Sequence, residues 1–128
     1  MLNKEIYENA LGLLGQSTDE NENEDLAERA PYIIAQFCTE ALYIDTALRR
    51  TLGKEDATDF HKVWLSLDDN FPLLDRLSPI ASMYLAAMLM IDEDGELSDK
   101  LYDKYCDAIS SLQMEIPASL ESITNKYF

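Results

Sequence analysis

The chain has 128 residues, enough for one domain built around one hydrophobic core. Hydrophobic residues make up 47% of it, a globular proportion that excludes wholesale disorder. The net charge is −15, from 25 acidic and 10 basic residues, and such a chain repels nucleic-acid phosphates and anionic lipid surfaces.

Membrane insertion and secretion are not indicated. The longest strongly apolar run, Ile80 to Ile91, has about 12 residues, whereas a bilayer span needs roughly 20. Near the start of the chain, Glu5 and Glu8 interrupt the stretch in which a secretory signal would be apolar. We therefore expect an intracellular protein without a membrane segment.

Residues 1–15 have the apolar spacing of an amphipathic helix that ends at Gly15. The apolar stripe consists of Leu2, Ile6, Ala10, Leu13 and Leu14. Residues 16–25 then carry acidic and amide side chains, with no apolar residue between Leu14 and Leu26. We expect a mobile acidic linker there, because this composition offers nothing to bury.

A helical core is predicted over residues 26–116, beginning with a long amphipathic helix that ends at Gly53. One broad face of this helix is apolar: Ala30, Ile34, Phe37, Cys38, Ala41, Leu42, Leu48 and Leu52. Pro31 either occupies the first helical position or kinks a longer helix that starts near Asp25, and we favour the first.

A short extended arm or hairpin edge is predicted before the third main helix. Val63, Leu65 and Leu67 alternate with polar or aromatic neighbours in the period of a strand. Ser78 and Pro79 then resemble an N-cap and first helical position, opening a helix that is apolar on every side. Such a helix must lie at the centre of the domain, surrounded by the others.

A fourth helix is predicted after an acidic turn, with Gly95 at positive φ in the turn and Ser98 as the N-cap. Its inward face is predicted to consist of Leu101, Tyr102, Tyr105, Ile109 and Leu112. The helix should end before Pro117, leaving residues 117–128 as a tail. The fold class is therefore all-α: a single domain, a bundle of about four helices with an extended arm before the third.

No catalytic, cofactor or metal site is predicted. His61 is the one histidine, and the four glycines are scattered, so zinc motifs of paired histidines and phosphate-binding loops do not fit. In the turn, Asp92 and Asp94 resemble part of a calcium loop, but Met90 and Leu101 stand at its first and last ligand positions. We expect no enzyme activity and no cofactor.

Protein interaction is predicted instead, because the arm and tail have more apolar side chains than a four-helix domain can cover. The residues predicted to contact a protein partner are Phe60, Trp64, Phe71, Ile123, Tyr127 and Phe128. Large aromatic side chains of this kind dominate interface hot spots.

Residues 64–77, WLSLDDNFPLLDRL, carry part of a resemblance to a known family. Together with the apolar helix around Tyr84 and the helix containing Tyr102 and Tyr105, this stretch resembles the small head-to-tail connector (adaptor) proteins of tailed bacteriophages and prophages. The preceding helix, ERAPYIIAQFCTEALYIDTALRR, is similar to the long helix of that family. The resemblance covers about residues 24–116.

The resemblance implies a non-enzymatic structural role in a helical-bundle fold. Copies would form a ring between the portal and the tail, with portal or tail proteins as partners and DNA passing through without specific contact. The location would be the cytoplasm of a bacterial host or the virion. Acidic walls suit this role, because they do not hold phosphates.

Two other functions remain open. The chain could be an acidic regulatory protein whose carboxylates mimic DNA and occupy a DNA-binding partner, or a helical interaction domain of another pathway. Ring formation requires heterologous contacts, in which one face meets a different face of the next copy. The arm and the tail are the predicted faces.

Overall fold

A computed structural model describes residues 1–18, 22–57 and 62–116 of the chain. It contains four α-helices: α1 (Asn3–Leu13), α2 (Glu24–Thr51), α3 (Ser78–Leu89) and α4 (Gly95–Met114), with a 3₁₀ turn at Asp75–Leu77. The described residues include no strand. The predicted all-α bundle of about four helices is confirmed.

The centre of the bundle is α3, which packs against α1, α2 and α4. Its side chains are apolar on all sides, and both Leu85 and Leu89 are fully buried. This agrees with the prediction that a helix with no polar face must be surrounded by the others.

The direction of each helix follows from contacts at its ends. Arg29 near the start of α2 donates to the carbonyls of Met88 and Leu89 at the end of α3, at 3.3 and 3.4 Å. The hydroxyl of Ser98 near the start of α4 donates to the carbonyl of Ala87, at 2.8 Å. Both α2 and α4 are therefore antiparallel to α3 and end at the same pole of the bundle.

The start of α2 differs from the favoured prediction. The helix begins at Glu24, so Pro31 lies inside it and the predicted linker ends two residues earlier than expected. Leu26 and Ala30 are buried in the core. Their burial stabilises the first turns of the helix and offsets the loss of the backbone hydrogen bond that a proline cannot donate. The carbonyl of Pro31 also accepts the backbone N–H of Leu65, at 3.2 Å.

The observed starts of α3 and α4 also differ from the predicted ones. Ser78 follows the 3₁₀ turn and donates its hydroxyl to the carbonyl of Asp75, at 2.7 Å, so it does not cap the helix. Asp94 caps α4 by accepting the backbone N–H of Leu97, at 3.1 Å. Gly95 is the first residue of α4 and has no positive φ. Ser98, the predicted cap, bonds to α3 instead because the helix starts one turn earlier.

The arm runs along the N-terminal end of α1 without forming a ladder. Its backbone hydrogen bonds to this end are the N–H of Asn3 to the carbonyl of Asp69, at 2.9 Å, the N–H of Lys4 to the carbonyl of Leu67, at 2.8 Å, and the N–H of Phe71 to the carbonyl of Met1, at 2.7 Å. One isolated antiparallel bridge joins Leu2 to Asn70. The alternating pattern thus corresponds to an irregular segment paired to a helix end.

Candidate interaction surfaces

A buried ion pair holds the segment after the arm against α2. Asp45 is fully buried, accepts from Nε of Arg49 at 2.7 Å, and accepts the backbone N–H of Leu74 at 2.8 Å. Arg49 also donates to the carbonyl of Pro72, at 3.2 Å. We call the ion pair of Asp45 and Arg49 the Asp45 clamp. Both side chains form hydrogen bonds with residues 72–74 and fix that segment beside the end of α2.

An aromatic surface lies where the arm meets α2. Tyr32 is 58% exposed, Val63 81% and Trp64 48%. The backbone N–H of Leu65, next to Trp64, donates to the carbonyl of Pro31, next to Tyr32, so this bond joins the two stretches of backbone that carry them. We call these three residues the arm surface. Apolar and aromatic groups so exposed beside an acidic bundle can bind a protein partner.

Of the predicted interaction residues, Trp64 is at the surface and Phe71 is not. Phe71 is buried and stacks on Phe37, with ring centroids 6.4 Å apart, so this fold does not present it to a partner. Buried Leu65 lies in the same segment and anchors the arm to the core. The remaining predicted residues lie outside the described residues: Phe60, Ile123, Tyr127 and Phe128.

A chain of aromatic rings connects the core to the edge of α4. Tyr105 packs edge-on against Tyr84 at 5.1 Å and against Phe37 at 6.3 Å, measured between ring centroids. Burial, together with the nearby carboxylate of Glu40, raises the pKa of Tyr105 to about 12. Burial likewise raises the pKa of the Cys38 thiol to about 12. These groups stay protonated at neutral pH and pack the core.

A groove of about 520 Å³ lies at the pole where α2 and α4 end. Its lining includes Leu48, Leu52, Leu73 and Leu74 with Arg49, Lys54, Arg76 and Glu115. Arg76 and Glu115 form an ion pair across it. The Asp45 clamp builds one wall of this groove, because it holds residues 72–74 in place.

Carboxylates line the exposed side of α4. Glu96, Asp99, Asp103 and Asp107 are all exposed, and the last three follow one another at four-residue spacing on one helix face. Across the described ranges, no group of three or more His, Cys, Asp or Glu residues is placed to hold a metal ion.

Tyr32 and the groove were both missed by sequence reasoning. Tyr32 lies off the apolar stripe of α2, and an aromatic residue on the polar side of a helix was the available signal. The groove had no such signal, since it depends on the clamp joining residues 29 positions apart.

Comparison of the chain with protein-family models, with curated proteins and with solved structures finds no match. Among the described helices, none is long and apolar enough to cross a membrane.

Proposed function

We propose that the chain is a non-enzymatic assembly protein, a head-to-tail connector of the kind made by tailed bacteriophages, which forms a ring between portal and tail. The observation that carries this proposal is the arm surface, where Tyr32, Val63 and Trp64 stay exposed on a well-packed bundle. A partner that covers these residues removes apolar area from water, the main favourable term in protein association.

The resemblance to connector proteins supports the choice of assembly. It spans about residues 24–116, a stretch that includes α2, α3 and α4 and most of the arm. The arm contributes Trp64 at the surface and Leu65 to the core, so one segment both anchors itself and offers an aromatic contact. Portal or tail proteins and further copies of the chain are the proposed partners.

The charge of the chain predicts how such an assembly forms. With a net charge of −15, copies repel one another over a screening length of about 30 Å in 0.01 M salt, which falls to about 10 Å at 0.1 M. Self-association should therefore be weak in dilute buffer and become stronger as salt rises or as a portal ring aligns the copies.

Sedimentation velocity across protein and salt concentrations tests the proposal. We expect oligomers at high concentration and salt, a loss of oligomers in Trp64→Ala, and retention in the matched control Trp64→Phe, which keeps an aromatic ring. Deleting the residues after Pro117 should also remove the oligomers while the helical core stays folded. A chain that stays monomeric in every condition and binds no portal protein contradicts the proposal.

A second candidate function is favoured by the carboxylates of α4. Asp99, Asp103 and Asp107 form an exposed row about 6 Å apart, four residues at 1.5 Å each. A regulator that mimics DNA would present such a row to a basic partner. Lys100 and Lys104 lie beside this row and reduce its negative charge, which weakens the case for DNA mimicry. Competition with DNA for a DNA-binding protein, abolished in Asp103→Lys, would select it.

A further inference from the structure

The two poles of the bundle differ in chemistry. The C-terminal ends of α2 and α4 lie at the groove, whereas α4 begins at the other pole, after the turn of residues 90–94. A helix of 20 residues is about 30 Å long, so the turn and the groove lie about that distance apart. We call residues 90–94 the acidic turn.

The groove pole gathers four of the ten basic residues of the chain: Arg49, Arg50, Lys54 and Arg76. Asp45, Asp56 and Glu115 pair with three of them. Lys54 is exposed and has no ion-pair partner among the described residues. Leu52 at the groove is 61% exposed. The groove thus combines an uncovered leucine with an available cation.

The acidic turn has complementary groups. Ile91 is 51% exposed, although the preceding residue, Met90, is buried in the core. Asp92, Glu93 and Asp94 follow it and are all exposed. An exposed isoleucine beside three carboxylates matches a leucine-lined groove with an available lysine.

We propose that the acidic turn of one copy docks into the groove of the next copy. Ile91 covers Leu52 and its leucine neighbours, and the carboxylate of Glu93 approaches the ammonium of Lys54. This contact rests on the proposed function, because it specifies how copies join. A second copy fits better than an unrelated partner, since each chain carries both faces at opposite poles and can repeat the contact.

The contact also suits a strongly acidic chain. Most of the surface repels another copy, but the described residues of the groove pole are close to neutral, because the four basic side chains there face five acidic ones: Asp45, Glu55, Asp56, Asp75 and Glu115. Joining unlike poles is a heterologous contact, which closes into a ring or extends into an open filament, depending on the rotation between copies.

Disulfide trapping tests the pairing in the full chain. Leu52→Cys and Ile91→Cys are made separately in a Cys106→Ser background, mixed, and oxidised. Heterodimers should form well above the share expected from random pairing. A disulfide needs Cα atoms roughly 4.4–6.8 Å apart, so a chain carrying both cysteines cannot bridge its own poles and should give a ladder of oligomers. Random pairing, or no disulfide at all, overturns the proposal.

Charge reversal provides an independent test at about 0.15 M salt, where long-range repulsion is screened. Lys54→Glu and Glu93→Lys should each weaken self-association about tenfold. Combining them in one chain should restore it. Glu8→Lys, on the exposed side of α1, is the control and should not weaken association. Circular dichroism verifies that each variant folds.

The outcomes separate this contact from the connector function. If the chain forms rings or binds a portal protein, but the cysteine pair gives no specific cross-link or the charge reversals have no effect, the contact is overturned and the connector proposal stands. Specific cross-links in a chain that binds no portal protein would support the contact and contradict the connector role.

Discussion

The central helix and the segment before it are held in the bundle by different kinds of interaction. In α3, apolar side chains on every side are buried, and Leu85 and Leu89 reach zero exposure. Residues 62–77 also bury apolar side chains, Leu65, Phe71, Leu73 and Leu77, but they add polar anchors: the Asp45 clamp at one end and backbone bonds to α1 at the other. Periodic burial can therefore be recognised locally in the sequence, whereas a buried polar anchor depends on residues far apart in the chain.

The largest expected effect comes from breaking the apolar region. Leu85→Ala should cost about 3 to 5 kcal/mol in the free energy of unfolding, because it leaves a cavity in a helix enclosed by three others. Urea unfolding followed by circular dichroism measures this cost. A midpoint close to wild type would show that this helix is not the centre of the core.

Breaking the polar region should have the next largest effect. Asp45→Ala should cost about 3 kcal/mol, because it leaves Arg49 without its carboxylate and the N–H of Leu74 without an acceptor. Asp45→Asn is the matched control, since its amide oxygen can still accept from Leu74, and it should cost less. Urea unfolding gives both values, and equal costs would contradict the dual role of this carboxylate.

A milder change tests the other end of the same segment. Asn3 donates from Nδ2 to the carbonyl of Ser66, at 2.9 Å, so Asn3→Ala should cost about 1 kcal/mol. Hydrogen exchange should accelerate at the amides of Lys4 and Phe71 and stay unchanged in α3. Equal acceleration in α3 would mean that the two regions open as one unit.

Alkaline pH should lower the free energy of unfolding through the buried Tyr105. The pKa of Tyr105 is raised to about 12 in the folded chain from an ordinary value near 10, so the folded state holds this proton more tightly. Stability is therefore fully present below about pH 10 and falls as pH rises toward 12. Tyr105→Phe should reduce this loss in thermal melts recorded across that range, and an unchanged pH dependence would contradict the assignment.

Much of the helical architecture could be predicted from the sequence, because apolar spacing and the glycines at the ends of α1 and α2 are local signals. Gly15 and Gly53 both have the positive φ that a helix end favours. For the start of α2 the sequence left two alternatives, Pro31 or a position near Asp25, and the less favoured second one agrees with the structure, since burial of Leu26 decides it. The cap of α4 was misassigned because Ser98 is a good capping residue whose hydroxyl is used by α3.

The exposure of the predicted interaction residues was predictable only in part. Trp64, one of the residues predicted to contact a partner, is exposed on the irregular arm segment. Phe71 is also aromatic and lies in the same stretch, but its ring is buried against Phe37 of α2. Alternation along an arm shows that neighbouring side chains face opposite ways, and tertiary contacts determine which of them are covered.

The fluorescence of Trp64 tests the central claim most directly, because it is the one tryptophan in the chain and lies on the arm surface. Emission is recorded alongside sedimentation velocity while protein and salt concentrations rise, with and without a portal ring. Emission should move to shorter wavelength as oligomers or portal complexes form, since a partner then covers the indole. A strictly monomeric chain with unchanged emission in all conditions, including with the portal ring present, would contradict this claim.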